Sequence, residues 1–172
     1  MSRVPALDML FRGNSRSFKL FYPKMTALYK IPISVLVVIY TPDLQVLLLE
    51  RADHPGYWQS VTGSQNPGES LRETAQREVE EETGLTAEQF ELHDCQQQNT
   101  YEIYPEWRHR YAPGVNTNTE HVWRLKLAAP VPIKLAQKEH LHYAWHPYQT
   151  AAQHCFSPSN AAAILQLPQW NH

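Results

Sequence analysis

The sequence predicts a single domain of the α/β or α+β class: a mixed β-sheet, one helix in mid-chain and a helical segment at the end. Three observations predict it. Aliphatic, β-branched runs recur in the first third and again near residue 120. One stretch, residues 71–83, has the periodicity of an amphipathic helix. Small residues gather at 150–152 and 160–167, behind prolines that start helices. A chain of 172 residues suits one domain, and its 42% hydrophobic content suffices for a packed core.

Composition narrows the function classes. The net charge is −2, with 15 basic and 17 acidic residues, which argues against gripping nucleic acid by bulk electrostatics. Two cysteines, Cys95 and Cys155, are too few for a disulfide framework or a cysteine-built zinc site. The apolar run Val35–Tyr40 is too short to span a bilayer, so no membrane partner is expected and the location expected is cytoplasmic. Residues 1–24 carry five basic residues against Asp8 alone, a balance of +4 that leaves the rest at −6. We read 1–28 as an N-terminal extension, either a loose arm or an upstream start before Met25, and 29–170 as the domain.

The elements follow in order. Ile33–Tyr40 behind Pro32 reads as a buried strand, and Gln45–Arg51 as a second after the turn Thr41–Asp43. Trp58–Thr62 is a short third. Strand-like stretches follow at Phe90–Cys95, Thr100–Tyr104 and Trp107–Tyr111. Glu120–Leu127 is a strand with His121, Trp123, Leu125 and Leu127 on one face, and Leu141–Trp145 is another. Pro147 and the Ser157–Ser159 segment mark helix starts.

The middle helix is the most informative element. Ser70 with Glu73 forms a capping box, and Gly84 stands where a left-handed cap would end the helix, giving Leu71–Thr83. At about 100° per residue, Leu71, Ala75 and Val79 make the core stripe, within about 80° of one another. Glu78 and Glu82 fall on or beside that stripe, whereas Glu73 and Glu80 face water. A solvated acidic face therefore accounts for only part of the acidic run. Two half-buried carboxylates one turn apart repel, and Arg77 alone does not offset them. Hard oxygen ligands beside a glycine-bearing loop, Gly63–Gly68, suit Mg²⁺ or Mn²⁺ and a phosphate substrate.

Gly63, Glu69, Arg77, Glu78, Glu81, Glu82 and Gly84 fill the seven fixed positions of the Nudix box, with Val79 and Leu85 at its aliphatic positions. At residue frequencies of about 6% each, such a match arises by chance on the order of once in 10⁸ starts. The chain thus resembles the Nudix family. The resemblance implies a mixed β-sheet between helices with a catalytic loop–helix–loop, and metal-dependent hydrolysis of a nucleoside diphosphate linked to another group. Further segments resemble the bacterial dihydroneopterin triphosphate diphosphatases: Tyr29 to Pro32, Trp58 to Ser64, Asp94 to Gln96, Arg108 to Val115, Asn118 to Glu120 and Glu139 to Trp145. This implies loss of pyrophosphate from dihydroneopterin triphosphate, a small-molecule triphosphate, in folate synthesis.

The resemblance also implies roles. Glu78, Glu82 and Glu139 would hold the metal, Mg²⁺ with Mn²⁺ as a substitute. The base lies open between Glu81 and Glu139, with Arg77 and Glu69 bracing the loop and helix. Lys30, Arg51 and Thr62 would meet the phosphates; Tyr101, Glu102, Ile103 and Tyr104 would line a ring pocket, with Ser157 a further contact. His140, His142 and His146 read as strand-surface or hydrogen-bonded histidines, and Arg108–Tyr111 as a loop or subunit contact. Two alternatives stay open: a general nucleoside triphosphate pyrophosphohydrolase that cleans the nucleotide pool, and a Nudix-fold module that binds without hydrolysing.

Overall fold

The computed structural model describes residues 29–171; the extension expected at 1–28 lies outside the described residues. Strand β1 (Ile33–Tyr40) is buried on both faces, as its unbroken aliphatic run requires. It pairs in parallel along its whole length with β6 (Thr117–Lys126), from Ile33↔Thr119 to Tyr40↔Lys126. β5 (Glu91–Glu102) continues the sheet antiparallel to β6. On the other edge of β1, β4 (Val61–Ser64) pairs with Ser34–Val37, while β2 (Gln45–Arg51) meets it only at Tyr40↔Val46. β2 then pairs with β3 (Trp58–Gln59) and β7 (His140–Pro147). One parallel pair among antiparallel ones makes the sheet mixed, as expected.

Alternation along β1 builds two cores. Val35, Val37 and Ile39 face α1 (Leu71–Thr83), where Ala75 and Val79 cover them together with Trp123 and Leu125. Leu36, Val38 and Tyr40 face α2 (Tyr148–His154), α3 (Pro158–Leu165) and α4 (Leu167–Trp170), packing on Ala151, Ala163, Ile164 and Leu167. The sheet is therefore sandwiched between helices. Its splayed end, where β1 and β6 begin and β2 stops, stays open as a cleft.

Three segments differ from expectation. The stretch Trp58–Thr62 is two strands, because buried Ser60 leaves the ladder: its amide donates to Asn160 Oδ1 at 2.8 Å and its hydroxyl accepts from Asn160 Nδ2 at 2.9 Å. The expected strands at 90–95 and 100–104 are one, since a bulge between Asp94 and Gln97, with Gln96 at φ 52°, lets the register resume. Trp107–Tyr111 is not a strand; Pro105–Arg110 forms a 3₁₀ turn. Pro105 cannot donate to a ladder, and Arg108 Nε donates back to the Ile103 carbonyl at 3.0 Å.

Candidate active site

α1 is fixed at both ends. Ser70 Oγ accepts from the Glu73 amide at 3.2 Å while the Glu73 carboxylate accepts from the Ser70 amide at 2.7 Å, the capping box read from the sequence. At the other end Gly84, at φ 72°, donates its amide to the Glu80 carbonyl at 2.9 Å. The Thr83 and Glu82 carbonyls, which no intrahelical donor reaches, accept from Lys134 and Ala136 at 3.0 and 3.4 Å. That last pair ties segment 134–139 to the helix and delivers Glu139 to it.

Arg77 organises the acidic side of the helix. Its Nε and Nη2 donate to the two Glu69 oxygens at 2.7 and 3.1 Å. Nη1 donates to Glu78 at 2.7 Å and Glu81 at 3.1 Å, and Nη2 also reaches the Ser64 carbonyl at 3.0 Å. The Arg77 guanidinium holds the Glu69 carboxyl at about 2, well below its ordinary value. Glu78 behaves oppositely. Burial pushes its carboxyl up to about 7, against the pull of Arg77 and with the Glu82 charge adding to the rise. Burial likewise raises Glu82, which is 2% exposed. The two carboxylates that the helical period put on the core side are thus the two that resist ionisation.

Oxygen and nitrogen ligand atoms of Glu82, Glu139 and His140 lie within 4.8 Å of one another. His140 Nε2 stands 3.2 Å from Glu82 Oε2, yet the pair is out of line for a hydrogen bond, and both atoms are buried without a partner. Opposite them, Gly63 leaves the space that Glu78 fills: a Cβ there would sit 1.8 Å from the Glu78 Cδ. Crowded carboxylate oxygens, with the Glu82 Oε2 buried and left without a donor, are the donor set a hard divalent cation satisfies. The residues present fit such an ion.

The cleft divides into two joined cavities. The polar one, about 570 Å³, is lined by the acidic Glu78, Glu81, Glu82 and Glu139 and by the basic Lys30, Arg51, Arg110 and Lys138. Arg51 is held by Asp53 at 2.7 and 2.8 Å and by Gln59 at 3.0 Å, and its guanidinium lies 5.0 Å from the Trp107 ring centroid. Burial first, then the Arg110 charge, lowers the Lys30 ammonium. The second cavity, about 450 Å³, is walled by Tyr101, Tyr104, Trp107 and Phe156 and also contains Ser157 and Glu102. Arg51, Gln59, Thr62 and Tyr101 border both.

The expected residues therefore converge, with one correction. Ile103 is 3% exposed and lines neither cavity; its amide donates to Asn116 at 2.7 Å and its side chain belongs to the interior. The Thr62 hydroxyl is committed to the Val35 carbonyl at 2.9 Å, and Glu102 pairs with Arg108. His140, expected as a strand-surface or hydrogen-bonded histidine, is instead buried beside Glu82 with neither ring nitrogen hydrogen-bonded. Its place directly after Glu139 was the available signal. Arg110 and Lys138 were missed as cavity cations; neither belongs to a periodic pattern.

A NUDIX domain model matches residues 30–167. The chain is 48% identical over 142 residues to the dihydroneopterin triphosphate diphosphatase of Escherichia coli K12, covering 81% of this chain and 93% of that one. It is 39% identical over 140 residues to the enzyme of that name from Haemophilus influenzae, covering 79% and 87%. The solved structure of the E. coli dihydroneopterin triphosphate pyrophosphohydrolase superposes with a TM-score of 0.75, over 80% of this chain and 95% of that one. Among the described residues no helix is long and apolar enough to cross a membrane.

Proposed function

The chain belongs to the Nudix family and is a Nudix hydrolase, and on that premise we propose that it converts dihydroneopterin triphosphate to dihydroneopterin monophosphate and pyrophosphate, with Mg²⁺, and with Mn²⁺ as a substitute. The observation that carries the reading is the junction of the two cavities. A charged compartment suits a polyphosphate, an aromatic one suits a flat ring, and Arg51 stands between them, held by Asp53 and facing Trp107. The names of relatives at 48% and 39% identity select the pterin among flat rings.

Glu78, Glu82 and Glu139 would hold the cation, with the His140 ring 3.2 Å from Glu82 beside them. Held by these residues, a divalent ion would supply positive charge to phosphate oxygens and to the leaving pyrophosphate. The chain's own groups do the rest. Arg77 holds Glu78 and Glu81 in place and ties the helix to the loop at Ser64 and Glu69. Lys30 and Arg110, which carry no ion pair among the described residues, meet phosphate charge. Arg51 is already neutralised by Asp53 and serves better to orient the substrate where chain and ring join.

Water adds to phosphorus as the bridging P–O bond breaks, and a carboxylate must take its proton. Glu139 suits that role better than Glu81. Glu81 accepts from Arg77 at 3.1 Å, whereas the Glu139 side chain accepts no hydrogen bond from the described residues. Work in the cytoplasm accords with the free thiols Cys95 and Cys155.

Pyrophosphate release with Mg²⁺ from dihydroneopterin triphosphate, beside dATP, GTP and 8-oxo-dGTP, tests the proposal. We expect at least a tenfold preference in kcat/KM for the pterin, about 1.4 kcal/mol of discrimination. Equal turnover of ordinary nucleotides would replace the substrate with the nucleotide pool, and binding without turnover would leave a ligand-binding module.

A further inference from the structure

The aromatic cavity contains a charge that the hydrolytic chemistry does not use. Glu120 sits in the middle of the sheet, on β6 between Asn99 of β5 and Ser34 of β1, and is 5% exposed. Two residues further along the same face, Val122 is sealed in the core beneath α2 and α3. Glu120 is thus the point at which that apolar face gives way to the cavity it lines.

Its surroundings are unusual for a buried carboxylate. Oε1 accepts from Ser159 Oγ at 2.9 Å and from Asn99 Nδ2 at 3.4 Å, both neutral donors. No lysine, arginine or histidine among the described residues forms an ion pair with it. Burial accordingly raises its carboxyl above the ordinary value. Oε2 has no hydrogen-bond partner among the described residues, and it is not one of the atoms sealed inside the protein. An unpaired, desolvated carboxylate costs stability, and packing alone would be served better by an apolar side chain. Ser159 and Asn99 fix one oxygen and leave the other to the cavity.

We propose that Glu120 is a specificity-determining residue, whose Oε2 accepts N–H donors from the ring of the substrate. An ionised carboxylate is only an acceptor, so it rewards an edge of N–H groups and repels an edge of lone pairs. The chemical class selected is a 2-amino-4-oxo heterocycle, which presents a ring N–H beside an exocyclic amino group; pteridines and guanine carry this edge. Stacking on Tyr101, Tyr104, Trp107 or Phe156 accepts any flat ring, so discrimination falls to the one carboxyl group in the wall that has no cation beside it. The Glu102 carboxylate, the other one there, is taken by Arg108. The inference deepens the proposed function and rests on it for the hydrolytic readout.

The test compares dGTP with dITP, which differ only in the 2-amino group, and adds dihydroneopterin triphosphate. The wild-type protein should favour dGTP over dITP at least tenfold in kcat/KM. Glu120→Gln should bring that ratio towards one, and should lower kcat/KM for the pterin triphosphate at least tenfold, chiefly through KM. Glu120→Asp, which keeps the charge, should restore part of the preference. A wild-type ratio near one overturns the inference without any variant, which covers the case of a Glu120→Gln protein that does not fold. Hydrolysis of dihydroneopterin triphosphate with an unchanged ratio in folded Glu120→Gln overturns this inference alone. Equilibrium binding of free dihydroneopterin, followed by its fluorescence, separates the two claims. Wild-type binding that Glu120→Gln weakens tenfold, with no turnover of any triphosphate, supports ring reading by Glu120 and refutes the hydrolytic assignment.

Discussion

Replacing Gly63 with alanine places a methyl carbon where the Glu78 carboxyl group now lies. The new Cβ would be 1.8 Å from Cδ, 1.9 Å from Oε1 and 2.3 Å from Oε2, and non-bonded contacts below 3.0 Å are not tolerated. The backbone at Gly63 is ordinary β4 strand, so the effect is steric rather than conformational. The carboxylate must retreat by at least about 1.2 Å, which breaks its 2.7 Å hydrogen bond from Arg77. Overpacking against the end of a flexible side chain costs about 1–2 kcal/mol, so the protein should still fold. On the proposed function Glu78 would hold the cation, and an ångström's misplacement at the reacting centre costs on the order of 10²-fold in rate. Pyrophosphate release at saturating substrate and Mg²⁺, with a thermal melt of the same sample, measures both. A folded Gly63→Ala protein with kcat within threefold of wild type would refute the placement of Glu78 at the reacting centre.

Further outcomes are expected from the same charges. Because the folded-state carboxyl of Glu78 is raised to about 7 from 4.5, its contribution to stability is fully present below about 4.5 and is lost as pH rises through about 7. The metal-free protein should therefore be less stable at pH 8 than at pH 5.5, by on the order of 2 kcal/mol, with the difference reduced in Glu78→Gln and by added Mg²⁺. A flat melting profile would count against a Glu78 whose burial outweighs its bond from Arg77. Arg77→Ala should destabilise by about 3 kcal/mol, since it strips Glu69, Glu78 and Glu81 of their common partner; denaturant titration measures this. Glu139→Gln should lower kcat at least 10²-fold and Glu81→Gln much less, and the reverse order would move the base to Glu81.

The helix was legible because its information is local. The capping box, the glycine stop and the side on which Glu78 and Glu82 fall all follow from residues within a few turns of one another. The bounds of β1 and β2 were equally legible, since Pro32 and the turn at Pro42 punctuate strongly apolar runs. What sequence did not reveal depends on distant partners. Ser60 leaves its strand for Asn160, a hundred positions away. His140 is buried because β7 pairs with β2 at Arg51, and no periodic pattern in 139–147 announces that register. The 3₁₀ turn at 105–110 hid behind aromatic residues that favour strands in isolation, although Pro105 was in view.

The electrostatics of α1 explain why its ends are so firmly held. A helix with two buried carboxylates on its core side works against its own stability, because each is desolvated and their charges repel. Left to local forces, its last turn would fray and carry Glu82 into water. Capping at Ser70, the left-handed stop at Gly84 and the amides of Lys134 and Ala136 oppose this by satisfying groups at each end. The same two amides anchor the segment that brings Glu139 to Glu82. Closing the helix and assembling the acidic cluster are thus one structural act. It follows that shortening the 134–139 segment should injure metal affinity and stability together, since Leu135 within it also packs against the cluster that holds Ala75 and Val79; metal titration and a thermal melt of one sample would measure both.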